Sequence, residues 1–247
     1  MTNDTIPVLA MDVWSDYACF RRGYSTTSPF TYPFPPRTTI SGLLGCIMGM
    51  DWNEYYSKIE HVFSRDNSLF SIQLLNPVQK IRINQNLIDT KTVSYSAVLK
   101  FQKPLEYIRT QIPFEYLKDP KYRIFVWLRD ETSFNRLREM VRSHKSVYTP
   151  YLGLSGLIAN FKYVDVFEAE KMEAKDKTPI VSVVKAEYKI EVEEGKEYLR
   201  IRVPSTMKSD RSLSGTVDLI YEKNGKPIII TSGEYYSLKG YGNIVLF

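Results

Sequence analysis

Tyr17-Ala18-Cys19-Phe20-Arg21-Arg22, then Ser28-Pro29-Phe30-Thr31-Tyr32-Pro33-Phe34-Pro35-Pro36-Arg37-Thr38-Thr39, then Ser41-Gly42-Leu43-Leu44-Gly45 make up the stretch whose reading decides the fold. Ile6–Phe20, just before and into it, mixes apolar and polar residues in short alternation and reads as a strand buried on at least one face. Thr26–Thr39 carries Pro29, Pro33, Pro35 and Pro36, a density that no helix or central strand survives, so an extended loop follows. The hydroxyls of Thr38–Ser41 are able to cap a helix, and Leu43, Leu44, Cys46, Ile47 and Met48 then predict a short buried one.

Outward from this stretch, the spacing predicts a second helix from Asp51. Asp51 and Glu54 have capping-box spacing, and Trp52, Tyr55, Tyr56, Ile59, Val62 and Phe63 form one apolar face. Strands are predicted at 70–75, 78–83 and 122–128. A third helix is expected at about 133–143, with Phe134, Leu137, Met140 and Val141 inward. Beyond Lys162 the chain turns β-rich. Strands are expected at 163–167, 180–192 and 198–203, with a hairpin turn at Gly195. A second hairpin is expected at Asn224-Gly225, between 217–221 and 228–231.

The 247 residues can bury ~70–75% of the unfolded surface, so no disulfide or metal staple is needed. Apolar residues at 43% and charged residues at 25% exclude a disordered or collagenous chain. The stretch 42–50 is far short of a membrane span, and the first twelve residues do not read as a secretory signal. Cys19 and Cys46 have neither disulfide-framework nor zinc spacing, so a reduced, cytoplasmic protein is the expectation.

Charge is uneven. Residues 77–111 hold six cations against two acids, nearly the whole net charge of +5, interleaved with Tyr95, Phe101 and Tyr107. Between Gln85 and Leu105 this stretch is polar and poorly periodic. It reads either as a finger lying along a nucleic-acid backbone or as a solvated two-stranded ribbon with lysines guarding its edge.

Catalytic signals are sparse. The two histidines, His61 and His144, both lie late in predicted helices, where a cation suits the dipole. His144 adjoins Lys145, but neighbours on a helix point about 100° apart and rarely share a target. Gly153-Leu154-Ser155-Gly156-Leu157 fails as a nucleophile elbow because Leu157 stands where glycine is required. Lys239-Gly240-Tyr241-Gly242-Asn243-Ile244-Val245-Leu246 matches the first half of an RNA-binding octamer, but Asn243 and Leu246 stand where bases would stack. It is read as a glycine-bearing turn into a last strand. No cofactor or metal is expected.

The opening blocks quoted above resemble the start of the fifth family of CRISPR-associated proteins, of the RAMP superfamily. Its members serve as subunits of type I Cascade complexes, and share an Ala-x-Phe-Arg-like strand end, a proline-rich loop, Arg-Thr-Thr and a Gly-Leu-Leu-Gly helix. Gln111–Val126 and Tyr148-Thr149-Pro150-Tyr151-Leu152-Gly153-Leu154-Ser155 are similar to later family blocks. The resemblance implies an α+β fold, a ferredoxin-like (RRM-type) domain over residues 1–165. A β-hairpin thumb would lie at about 84–108, and a smaller β-rich part over 166–247.

The function it implies is non-catalytic: holding the 5′ handle of CRISPR RNA. The implied partners are the backbone RAMP subunit and the PAM-reading large subunit, with target DNA met through the complex and no membrane. Phosphates call for arginine forks or helix N-termini. Arg37, Thr38, Thr39 and Ser41 at the helix start are therefore expected to grip the RNA, with Arg21 and Arg22 facing the same groove. Lys91, Tyr95 and Lys100 on the thumb, then Arg109, Tyr148 and Tyr151, complete the expected set. The competing expectation for Arg37 is a structural tie pinning the proline loop. The runner-up function is a metal-independent endoribonuclease that processes precursor RNA. Relatives of that kind have a Tyr/Lys/His site, from which this chain departs at Cys46 and around Lys118.

Overall fold

The computed structural model describes residues 5–23, 28–50, 62–88, 109–208, 210 and 212–247. Most of the second predicted helix, His61 and the thumb residues Lys91, Tyr95 and Lys100 lie outside these.

Along the chain run β1 (Thr5–Trp14), β2 (Tyr17–Ala18), α1 (Arg37–Met48), β3 (Ser68–Leu74), β4 (Gln79–Ile88), β5 (Arg109–Lys118), β6 (Lys121–Leu128), α2 (Glu131–Arg142) and β7 (Asn160–Glu173). They are followed by β8 (Thr178–Ile180), β9 (Val184–Lys185), β10 (Ile190–Glu191), β11 (Tyr198–Met207), β12 (Leu213–Glu222), β13 (Ile228–Ile230), β14 (Glu234–Leu238) and β15 (Gly242–Ile244). One sheet has the order β10-β13-β8-β15-β14-β7-β1-β6-β3. Within it each neighbouring pair of β7, β1, β6 and β3 is antiparallel, with α1 between β1 and β3 in the chain and α2 between β6 and β7.

Period-two alternation sorts the side chains of this sheet onto two faces. Leu9, Met11 and Val13 of β1 join Phe70, Ile72, Ile124 and Val126 beneath both helices, with Leu44, Ile47, Phe134 and Leu137. Val8, Ala10 and Phe125 face the other way and are covered by Leu238, Ile244 and Tyr241 from the C-terminal strands. The octamer-like segment is thus the turn between β14 and β15, with Gly240 and Gly242 at positive φ. The Tyr241 ring packs on Phe125 and Phe167, and its hydroxyl accepts from Arg123.

α1 begins at least two residues earlier than its hydroxyls imply. Pro36 is the N-cap, without a side-chain cap, and Ser41 Oγ instead donates to the Arg37 carbonyl at 3.1 Å. Proline is at home at a helix start because the missing N–H would be an orphan there. Gly49 ends the helix at φ 70°, its N–H and that of Met50 returning to Cys46 and Gly45. The guanidinium of Arg136 donates to Met48 O at 2.6 Å and closes the same end. α2 starts at Asp130, whose carboxylate accepts from the Ser133 N–H.

Both expected C-terminal hairpins are corrected. β10 pairs with β13 while β11 pairs with β12, so the Gly195 turn moves the chain between sheets. The Asn224-Gly225 turn does the same between β12 and β13. A Cβ on Gly225 would stand 2.3 Å from Leu74 O, so the turn is pressed against the end of β3 rather than capping a free ribbon. Buried Glu222 holds it, accepting from the N–H groups of Glu197, Asn224 and Lys226. The expected boundary near 165 lies inside β7, which runs unbroken for 14 residues.

Candidate nucleic-acid interface

β4 and β5 pair in register from Gln79↔Lys118 to Ile88↔Arg109, a long antiparallel ribbon. Residues directly opposite share a face. Ile81, Ile83, Phe114 and Tyr116 line one face, with Phe114 and Tyr116 stacked and Tyr17 edge-on to Tyr116. Lys80, Arg82, Asn84, Asn86, Gln111 and Glu115 line the other. The ribbon therefore begins before residue 84, where the thumb was expected to start. β5 was hidden because Pro113 argues against a strand, although Ile112, Phe114 and Tyr116 alternate through it.

The proline-rich loop docks along the edge of β5 that β4 leaves open. β2 pairs with β5 at Tyr17↔Lys118 and Ala18↔Leu117, after which the Pro29–Tyr32 segment wedges in between. On one edge Glu115 N–H donates to Pro29 O (2.9 Å), and Glu115 Oε1 accepts from Thr31 N–H (3.1 Å). On the other edge Arg22 N–H donates to Phe30 O and Tyr32 N–H to Phe20 O, each at 2.9 Å. The extended backbone that the prolines impose is what lets this loop serve as an inserted strand. Beyond the Cys19–Arg22 tail lies the 150–158 loop, with Cys19 N–H donating to Leu152 O at 3.1 Å. Gly153 is required there: its φ is +94°, and a Cβ would meet Cys19 O at 1.9 Å.

Cations gather on this inserted segment. Lys80 Nζ bonds Glu115 Oε1 (2.9 Å) and Thr31 O (3.3 Å). Arg22 Nε donates to Thr31 O at 3.2 Å, and its guanidinium lies 5.3 Å from the Tyr32 ring centre. Arg82 lies 5.5 Å from the centre of the half-open Phe30 ring. Arg21 is exposed and bridged to Thr31. Arginines beside aromatic rings on an extended, polar ribbon suit a single-stranded polyanion, which offers phosphates and base faces together. Cys19, beneath the cluster, has its thiol pushed up to about 11 by burial, so it is a neutral packing group at neutral pH. Among the described residues, no group of three or more His, Cys, Asp or Glu could hold a metal ion.

The predicted residues divide. Arg21 and Arg22 are in the cluster. Arg37 is not: it is 2% exposed and points into the core. Its Nη1 donates to Phe247 O at 2.7 Å. Its Nη2 faces Phe63 O, Ser64 O, Ser68 O and Ser68 Oγ within 3.2 Å, and Phe70 stacks 4.5 Å from the guanidinium. Burial lowers its pKa to about 10, which still leaves it charged at neutral pH. Arg37 is thus a structural tie. It leaves the phosphate-contact set, as does buried Ser41, whose hydroxyl is committed to Arg37 O. Thr38 and Thr39 are half-buried in the first turn of α1. Arg109 is exposed at the far end of the β4–β5 ladder. Tyr148 and Tyr151 are exposed on the loop after α2. Tyr148 N–H bonds Cys46 O at the C-terminal end of α1, away from the helix mouth.

Sequence reasoning missed Phe30, Lys80 and Arg82. The signal was present in the spacing Lys80-x-Arg82, which on a strand puts both cations on one face.

A family model described as CRISPR-associated protein (Cas_Cas5) matches residues 8–215. The chain belongs to this CRISPR-associated family. The match spans the proline segment, the β4–β5 ribbon and α2. No curated protein matches. Among solved structures, one described as a CRISPR RNA-guided surveillance complex is similar at a TM-score of 0.52 and 11% identity, covering 89% of this chain and 91% of that one. A CRISPR protein from Archaeoglobus fulgidus is similar at 0.51 and 15% identity, covering 97% and 98%. At these identities the likeness speaks for the fold. The Cas5 family match places the chain among CRISPR-related proteins. No helix among the described residues is long and apolar enough to cross a membrane.

Proposed function

We propose that this protein is a non-catalytic, cytoplasmic subunit of a type I CRISPR surveillance complex that binds the single-stranded 5′ handle of CRISPR RNA. The carrying observation is the gathering of Arg21, Arg22, Lys80 and Arg82 around Phe30 and Thr31, at the junction of the proline segment with the β4–β5 ribbon. The order β7-β1-β6-β3 with two crossover helices supports reading the central unit as ferredoxin-like, of the RRM type. The sheet face that such modules commonly offer to RNA is covered here by Tyr241 and its neighbours. The handle therefore runs along the ribbon and the proline segment instead.

Residues 89–108, which join β4 to β5 in the chain, are read as the thumb, with Lys91, Tyr95 and Lys100. The backbone RAMP subunit and the PAM-reading large subunit are its neighbours in the complex, and target DNA is met through it. RNA that copurifies with the tagged protein and its partners is the test. A homogeneous small RNA with a common repeat-derived 5′ end is expected, and a complex devoid of RNA contradicts the proposal. Incubation with precursor repeat RNA in EDTA tests the non-catalytic part: intact RNA is expected, and defined product bands overturn it.

A further inference from the structure

We infer that Phe30 and Arg82 form a stacking step for one unpaired RNA base, and that Glu115 is the residue that positions it. This rests on the RNA-binding reading above and deepens it.

Residue 115 brackets Phe30 from both sides. Its N–H holds Pro29 O, and its carboxylate holds Thr31 N–H. On the opposite edge the Phe30 carbonyl accepts from Arg22 N–H. A loop aromatic is ordinarily mobile; this one has its backbone fixed at three points while the residue stays 36% exposed. Arg82 stands directly across the ladder from Glu115 and brings its guanidinium to the ring. A guanidinium lying on an aromatic face keeps its N–H edge for a phosphate, and its plane extends the stack. Phenylalanine offers no hydrogen bond, so the step accepts any unpaired base. Glu115 does not confront the phosphates: its side chain is 11% exposed, with the Lys80 ammonium against it.

Handle RNAs with 2-aminopurine, and separately an abasic site, at each position in turn are bound to the purified full-length protein. One position is expected to show quenched 2-aminopurine emission on binding. Phe30→Ala removes that quench and weakens affinity about 5- to 150-fold, the worth of one base–aromatic stack. It leaves the salt dependence unchanged, because no phosphate contact is lost. Phe30→Trp keeps the quench.

An abasic site at that position weakens wild type to the level of Phe30→Ala and has no further effect on the variant, an equality that general damage to the fold would not produce. Glu115→Ala behaves as Phe30→Ala does, whereas Glu115→Gln, which keeps an acceptor for Thr31 N–H, retains the quench. Salt-sensitive RNA binding with no Phe30-dependent position overturns the stacking step and leaves the RNA reading standing. Absence of RNA binding by the wild type overturns both.

Discussion

Arg37→Met separates a structural arginine from an RNA-binding one. The substitution keeps most of the apolar volume beside Phe70 and removes every donor. The Nη2 nitrogen has two hydrogens for four acceptors, so with Nη1 the guanidinium makes about three effective bonds rather than five. Charge-assisted bonds are worth roughly 1.5–3 kcal/mol each. The loss is reduced because some acceptors keep other donors: Ser64 O retains Ser68 N–H, and Phe247 O retains Phe70 N–H. A net cost of about 3–5 kcal/mol follows, in line with breaking a buried charged network. For a chain of this size that lowers the melting temperature by roughly 6–20 °C. The assay is thermal unfolding alongside RNA binding by the folded protein at low temperature. A large drop in melting temperature with unchanged affinity is expected. A variant that melts with the wild type but loses RNA would refute the reasoning.

Further outcomes are expected elsewhere in the molecule. Gly153→Ala forces a Cβ into Cys19 O at a positive φ and should cost more than about 2 kcal/mol. Gly156→Ala, with nothing within 4 Å of its Cβ, should melt within a degree or two of wild type. Burial pushes the Glu222 carboxyl up, but the N–H groups of Lys226, Glu197 and Asn224 outweigh it and hold its pKa below the ordinary value. Its stabilisation is therefore complete above that ordinary value and lost as pH falls through the folded one. Urea titrations of Glu222→Gln should show a deficit of about 1–2 kcal/mol at pH 7 that shrinks in acid; a deficit independent of pH would contradict this. Replacing Lys80 and Arg82 together by Ala should reduce the slope of log K against log salt for single-stranded RNA by about 1.4, or 0.7 per phosphate contact. An unchanged slope removes them from the interface.

The central sheet was legible because β1, β3 and β6 carry short apolar runs of β-strand length, such as residues 8–11 and 124–128, the mark of strands buried on both faces. α2 was legible because Phe134, Leu137, Met140 and Val141 fall on one apolar stripe, although its Asp130 cap places the start two residues earlier than the spacing alone. The two C-terminal turns carry strong local hairpin signals at Gly195 and Gly225, and local signals cannot reveal which sheet the next strand joins. That choice is made by Leu74 O against Gly225 and by the Glu197 N–H on the Glu222 carboxylate, both long-range contacts. Arg37 sits at a helix mouth, where an arginine beside threonines reads as an anion site. Its inward rotamer is set by carbonyls of Phe63, Ser64, Ser68 and Phe247, which no local pattern announces. The Phe30–Glu115 bracket joins residues 85 positions apart, although the prolines that make it possible were plain.

Zero-length photo-crosslinking of the assembled complex, with mass spectrometry of the RNA-bound peptides, tests the RNA-handle assignment most directly. Handle nucleotides should be found on peptides from residues 17–37 and 79–88. Handle crosslinks confined to the β11–β12 hairpin or to the 144–158 loop, with none at Phe30, Lys80 or Arg82, would contradict it.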